Sequence, residues 1–503
     1  MNITTSKVVL MVLSLGFAIL LGCQSVKRQP LLSSEHEGIK RHIKIGFSNW
    51  TGYFPFCSPQ MQKRMINEGY LVQCQYDKES YSQKFKDLKD GALDFTVSAI
   101  DGYLYSAQQY GYPGKIVAVT DESKGGDAII ARADKVSNID DLRKEDIRIA
   151  VISQTPSEFL LKTIAVHFDI QHLLNSNAWK VEASSSPDAL AKLQSGEADA
   201  AIVWQPDLTF GLADSRLKNI FSTKDLSQLL VDVIIANQTF TEEQPDVVEL
   251  FLANFFQTLE SYSNHPSELI HDIEDKTGFQ PADIASILDG IVWHNISTNA
   301  RQWYGITADG SESLTHAIDE IIHIHEIAGG MSSDLQINVN PYMIQNRTFI
   351  EKLYNTNVHE TDDTSFDEPS FEALSTIEWQ ALTEVGTLKV RPIEFNSGGS
   401  QLTVKGMEEV TKAFDSLQHF PNFRVAIEVH SGLNGDKTAN QQLSQRRADA
   451  VKNYLIDTFN VDKNRLRAMG LDASKPLSEK PGEFDNDYND RLPRVELRML
   501  SKM

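Results

Sequence analysis

From Ile43 onward, short apolar runs alternate with stretches whose apolar residues recur every three or four positions. The runs "HIKIGF", "FTVSAI", "KIVAVT", "DAIIAR", "DIRIAVIS" and "LVDVIIAN" have the length and composition of buried strands. "YSQKFKDLKDGALD" and "SEFLLKTIAVHF" have helical spacing, and "ALAKLQSGEADAAIVW" joins a helix to a strand. Strands alternating with helices predict an α/β fold with mainly parallel sheets. Residues 243–330 turn helical, as in "DVVELFLANFFQTLESY" and "ESLTHAIDEIIHIHEIAG". In the latter, His323 and His325 lie two apart and point to different sides of the helix, as solvated or core histidines. A second, compact pattern follows: strand "TLKVRPIEF", helix "TVKGMEEVTKAFDSLQHF", strand "FRVAIEV", helix "NQQLSQRRADAVKNYLIDTF", strands "NRLRAMGL" and "PRVELRML". It predicts a smaller α/β sandwich.

The two patterns divide the chain. Residues 43–340 form the larger domain and 385–503 the smaller. Between them, 341–384 read as a linker whose centre, "NTNVHETDDTSFDEPSFEALST", is acidic and poor in aliphatic residues. Residues 23–42 read as a tether. Residues 1–22 have the form of a signal peptide: Lys7, an apolar run from Val8 to Leu21, then Gly22-Cys23. That run is too short to span a bilayer comfortably.

Composition narrows the class. With 503 residues there is room for two or three domains. A formal net charge of −22 argues against a nucleic-acid surface, which needs a basic face. Of the three cysteines, Cys57 and Cys74 could form an exported disulfide or remain two buried thiols. A metal site is not indicated, because no Cys-x-x-Cys or His cluster accompanies them. There is no Gly-x-Ser-x-Gly elbow, no His-Glu-x-x-His and no P-loop, so nothing points to catalysis or to a cofactor.

Ligands of open α/β sheets bind where strands end. The loops at those ends supply Asn49, Trp50, Ser98, Asp101, Ser123, Asp127, Ser153, Gln154, Thr155, Trp204 and Gln205, with Asp232 on a later strand. Thr155, Pro156 and Glu158 have the spacing of a capping box, and a helix start of that kind favours an anion. Trp50, Tyr53, Phe54, Tyr103 and Trp204 add aromatic faces, and Lys124 is the single basic residue in these loops. Aromatic faces with carboxylates suit a cation. The expected partner is a small zwitterionic or amine-bearing solute, or an anionic one held by the helix start.

"IKIGFSNWTGYFPF", "DGALDFTVSAIDGYLY", "KIVAVTDESKGGDAIIAR", "NIDDLR" and "GEADAAIVWQPDL" together resemble the substrate-binding proteins of bacterial ABC importers, in particular the nitrate/sulfonate/taurine and thiamine-precursor-like group. The resemblance implies a two-lobed, type 2-like periplasmic-binding fold that closes on a solute, with an ABC importer as partner. It leaves open a structural staple with a non-functional cleft, or an enzyme of the thiamine-precursor type. Leu20-Leu21-Gly22-Cys23 resembles a bacterial lipobox. It implies cleavage before Cys23, lipidation of that residue, and membrane attachment through the lipid. Gln24 in the next position implies sorting to the outer membrane of a Gram-negative bacterium, facing the periplasm.

"HSGLNGDKTANQQLSQRRADAV" with "NRLRAMGL" and "RLPRVEL" resembles the OmpA-like peptidoglycan-binding domain. Asn440, Leu443, Ser444, Arg447, Ala448 and Val451 stand at that family's spacing. The resemblance implies that Arg447 grips a carboxylate of diaminopimelate in the wall peptide, chemistry suited to a guanidinium fork. The family's Gly-His-Thr-Asp is here Val429-His430-Ser431-Gly432, so Gly432 replaces an Asp. Asp436 is the nearest carboxylate, expected either to take over that role or to stabilise the turn.

Overall fold

The computed structural model describes residues 38–502, apart from 78–79, 309, 330–338, 357–369, 434 and 480–481. Cys23 and the centre of the linker lie outside the described residues. Three sheets organise the rest. The first contains β1 (Arg41–Phe47), β2 (Tyr70–Tyr76), β3 (Phe95–Ala99), β4 (Gly114–Ser123), β10 (Val231–Asn237) and β11 (Ile291–Trp293), in the order β11-β4-β10-β3-β1-β2. The second contains β5 (Asp127–Arg132), β6 (Ile149–Val151), β7 (Lys180–Glu182), β8 (Ala200–Trp204) and β9 (Leu217–Ser222), in the order β7-β6-β8-β5-β9. The third contains β12 (Thr383–Leu388), β13 (Arg424–His430), β14 (Leu466–Asp472) and β15 (Arg494–Ser501), in the order β12-β15-β13-β14.

The first two sheets are the cores of two lobes. The chain leaves the first lobe after β4 and returns at β10, so the lobes share two crossing segments. The expectation of mainly parallel sheets is corrected here. β1 pairs in parallel with β2 and β3, but β10 runs antiparallel to both β3 and β4. β5 likewise runs antiparallel to β8 and β9. The reason is the crossing: a strand that returns from the other lobe enters the sheet from the opposite end, a constraint absent from the local pattern.

Two further expectations change. Residues 341–356, expected to open the linker, belong to the first lobe. The amide of Ile116 donates to the carbonyl of Ile344 at 2.8 Å, and the helix Thr348–Thr356 buries Phe349, Ile350 and Leu353. Cys57 and Cys74, left open between thiols and a bridge, form a disulfide across 17 residues with Cα atoms 6.3 Å apart. The histidines at 323 and 325 do point apart: His325 is buried against Tyr105 and Phe159, whereas His323 is exposed.

In the C-terminal domain the helix Lys437–Phe459 lies on the sheet, burying Ala448, Val451 and Leu455. Gly470 permits the close approach, because a Cβ there would run into the backbone at Gln445. This domain docks on the other two lobes. Phe420 is fully buried and meets His167, Phe168 and Phe221 of the second lobe. Lys389 pairs with Asp169 at 2.8 Å. Ser227, on the segment returning to the first lobe, donates its amide to the carbonyl of His419 at 3.0 Å. Among the described residues, no helix is long and apolar enough to cross a membrane.

Candidate functional site

A cavity of about 40 Å³ lies between the two lobes. Its walls are aromatic (Trp50, Tyr53, Tyr81, Trp204) and acidic (Asp127, Asp232), with Ser48, Ser123, Ala99, Pro156 and Leu230 completing them. That volume is small, with room for a few water molecules at most. Thr223 sits at the crossing. Its hydroxyl oxygen accepts from the amides of Gly125 at 2.9 Å and Asp127 at 3.3 Å, and it lies 2.8 Å from the Ser123 hydroxyl. These contacts join the outgoing and returning segments beside the cavity.

The placement of Trp50 depends on a glycine far away in sequence. A Cβ on Gly126 would run into its indole ring. The indole N–H donates to Asp121 at 2.8 Å, and Asp121 pairs across the ladder with Asp232. Tyr53 donates to Asp232 at 2.6 Å, and Ser123 to Asp127 at 2.6 Å. Asp101, at the start of the helix Ile100–Ala107, is buried behind them.

Burial pushes all four carboxyls up. Asp101 and Asp127 reach about 7, and in both the charge of Asp232 adds to the effect of burial. Asp121 and Asp232 also rise, Asp232 first through burial and then through the charge of Asp121. Among the described residues none of the four makes a salt bridge. Lys124 is engaged elsewhere: it donates to the carbonyl of Leu226 at 2.6 Å and pairs with Glu122 at 3.1 Å. The buried Lys84 pairs with Asp77 at 2.8 Å and lies over the Tyr81 ring.

Of the residues expected from the strand ends, Trp50, Ser123, Asp127, Trp204 and Asp232 line the cavity. Ser98, Asp101, Thr155 and Gln205 are buried and are not among its lining residues. Asn49 is exposed. Ser153 and Gln154 line a different groove of about 500 Å³, formed by the second lobe with Tyr105, Ala328 and Gly329, where Ser153 donates to Glu182 at 2.7 Å. The capping box is also corrected. Thr155 turns its hydroxyl back to the carbonyl of Ile152 at 2.8 Å, and Glu158 accepts from the Gln154 amide rather than from that of Thr155. Lys162 and Lys180 flank Glu158 and hold its carboxylate. Tyr81 and Asp121 were missed. Tyr81 was absorbed into the apolar stripe of its helix, and Asp121 follows the apolar run Ile116–Val119 in the polar end "TDES" of its strand, which was the available signal.

In the C-terminal domain, Arg447 is half-buried. Its Nε donates to the carbonyl of Gly399 at 3.0 Å, and its guanidinium lies 4.9 Å from the centre of the Phe395 ring. Arg446 is exposed. Ser444 is buried, donating to the carbonyl of Gln441 at 3.0 Å and accepting from the Asp472 amide at 3.3 Å, so it ties the helix to β14. Asp436 is the N-cap of the helix, its carboxylate accepting from the Ala439 amide at 2.8 Å. Asn440 lies one turn further on. Glu428, His430 and Glu496 bring ligand-type atoms within 4.8 Å of one another. Arg498, at 3.1 Å from Glu428, and Arg494, at 2.6 Å from Glu496, already balance those carboxylates.

Two lobes closing on an interlobe cavity, followed by a four-stranded sandwich with an arginine on its long helix, define a substrate-binding module joined to an OmpA-like module. Residues 41–287 match the substrate-binding domain of the ABC-type glycine betaine transport system, and residues 394–489 match the OmpA family. The chain therefore carries both domains. Among curated proteins, outer membrane protein Omp38 of Acinetobacter baumannii is 29% identical over 113 residues, 22% of this chain and 32% of that protein. Peptidoglycan-associated lipoprotein of Buchnera aphidicola is 28% identical over 142 residues, 28% of this chain and 74% of that protein. The chain thus spans about a third of the length of the Omp38 relatives. Similar solved structures include the nitrate-binding protein NrtA of Synechocystis, with a TM-score of 0.49 and 10% identity over 64% of this chain and 90% of that one. The aliphatic sulphonate-binding protein SsuA of Escherichia coli has a TM-score of 0.45 and 15% identity, over 59% and 96%.

Proposed function

We propose that this protein is an envelope lipoprotein that binds a small solute with a cationic head between its lobes, while its C-terminal domain holds peptidoglycan. The observation that carries the reading is the interlobe cavity, whose walls combine four aromatic rings with two buried carboxylates. Such walls attract a cation through ring faces and charge together. Arg447 is fixed by Gly399 and Phe395 and keeps a guanidinium at the surface for a wall carboxylate.

The curated relatives named for peptidoglycan association support the wall-binding half, and the match to an ABC-type substrate-binding domain supports the solute-binding half. Cys23, acylated, would fix the other end in the outer membrane, facing the periplasm. A protein held at both ends passes solute to an ABC importer only within the reach of its tethers, or reports the solute as a sensor.

One preparation tests both halves. A solute present at 100 times its Kd adds about 2.7 kcal/mol of stability. A thermal-shift screen of small zwitterions, amines and anions should therefore find a stabilising solute, and the protein should sediment with purified sacculi. A screen with no response would leave a structural staple. Failure to sediment would remove the wall-binding half. Palmitate labelling should be lost in Cys23→Ser.

A further inference from the structure

The cavity selects among cations, and the selection follows from which groups line it. The donors to its carboxylates are neutral: the Trp50 indole N–H, the Tyr53 hydroxyl and the Ser123 hydroxyl. Asp232 comes from the first lobe and Asp127 from the start of the second, so closure brings carboxylates from both sides onto one solute. No lining residue is basic.

We propose that the solute is a protonated primary alkylamine or short diamine without a carboxylate, its N–H groups donating to Asp232 and Asp127 and its alkyl chain lying against Trp50 and Trp204. This rests on the interlobe cavity being the solute site, as argued above. A quaternary ammonium has no N–H to donate to the Asp232 and Asp127 carboxyls that line the cavity. A betaine or amino acid would add a carboxylate to a chamber with no cation to receive it. A sulfonate or nitrate would meet the same acids with no ammonium of its own. Each polar group left unpaired in a site built for it is a strong ground for rejection.

Calorimetry on the dialysed full chain tests this with 1,4-diaminobutane, choline, glycine betaine and taurine. The diamine should bind, and choline and glycine betaine should bind roughly 10- to 150-fold more weakly, the ratio expected for one lost charge-assisted hydrogen bond. Asp232→Asn and, separately, Asp127→Asn should each weaken the diamine by a similar factor. Trp204→Leu is a second variant that leaves the carboxylates in place and should weaken it less. Choline or glycine betaine binding as tightly as the diamine would overturn the inference and leave the solute-binding function standing. Taurine, which pairs an ammonium with a sulfonate, binding best would overturn the inference and leave the cationic reading standing. No response to any of the four, with a response in the wider screen only to solutes other than primary amines, overturns the inference alone. No response to any solute overturns both.

Discussion

Trp50 and Asp121, 71 positions apart, are joined by an indole N–H···carboxylate hydrogen bond of 2.8 Å. The bond turns an aromatic residue of the first loop into one wall of the interlobe cavity and gives a buried acid a neutral donor. The ring stands over Gly126, at the crossing into the second lobe, so its environment changes when the lobes part.

The buried acids set a pH dependence. The Asp101 carboxyl is held up at about 7, against an ordinary value of 3.8, by burial and by the charge of Asp232. Between about pH 4 and pH 7 the folded protein keeps a proton there that the unfolded chain has released. The folded state binds more protons in that window, so stability falls as pH rises through it, by about 1.4 kcal/mol per pH unit for such a group. Below the window both states hold the proton; above it neither does. The midpoint of thermal unfolding should drop from pH 4.5 to pH 7, and Asp101→Asn should flatten that slope. An unchanged slope would assign the dependence to other groups.

Gly432 stands where the family carries an Asp. Its backbone is outside the left-handed region, and a Cβ there would meet only Pro493, at 3.7 Å, which is ordinary contact. Gly432→Asp should therefore fold normally and increase co-sedimentation with sacculi. Arg447→Ala should lower the affinity roughly 10- to 150-fold, while exposed Arg446→Ala should leave it near the parent value. Equal sedimentation of both arginine variants and the parent would remove Arg447 from the site.

The Cys57–Cys74 bridge closes a short loop, 17 residues in separation, between the segment after β1 and strand β2. A loop of this size typically contributes about 3 kcal/mol. The double variant Cys57→Ala/Cys74→Ala should lose stability on that scale in urea unfolding. The parent should lose the same amount in reductant, and the variant should be insensitive to it.

Phe420 is the apolar plug between the C-terminal domain and the second lobe. Truncating a buried Phe to Ala typically costs about 3–5 kcal/mol, here charged largely to the docking. Phe420→Ala should raise the radius of gyration in small-angle scattering while far-ultraviolet circular dichroism stays unchanged. A loss of helical signal would instead mean that the C-terminal domain needs its neighbour in order to fold.

Whereas β2, β7, β9 and β11 were not read as strands, seven of the eleven described strands of the two lobes, the division into two modules and the arginine of the C-terminal helix were legible in the sequence. They rest on local rules: side-chain period, capping chemistry and motif spacing act over a few residues. Trp50, Asp127, Trp204 and Asp232 were legible as strand-end residues for the same reason. The tertiary structure alone decided which of them converge. Strand ends of both lobes look alike in the pattern, yet Ser153 and Gln154 open onto another groove while Tyr81 and Asp121 enter or back the cavity. It also decided the antiparallel return of β10, the transfer of residues 341–356 to the first lobe and the docking of Phe420. Each of these is a contact between segments separated by tens to hundreds of residues. Burial and shape complementarity select such contacts only after the local elements exist, and no short-range periodicity encodes them.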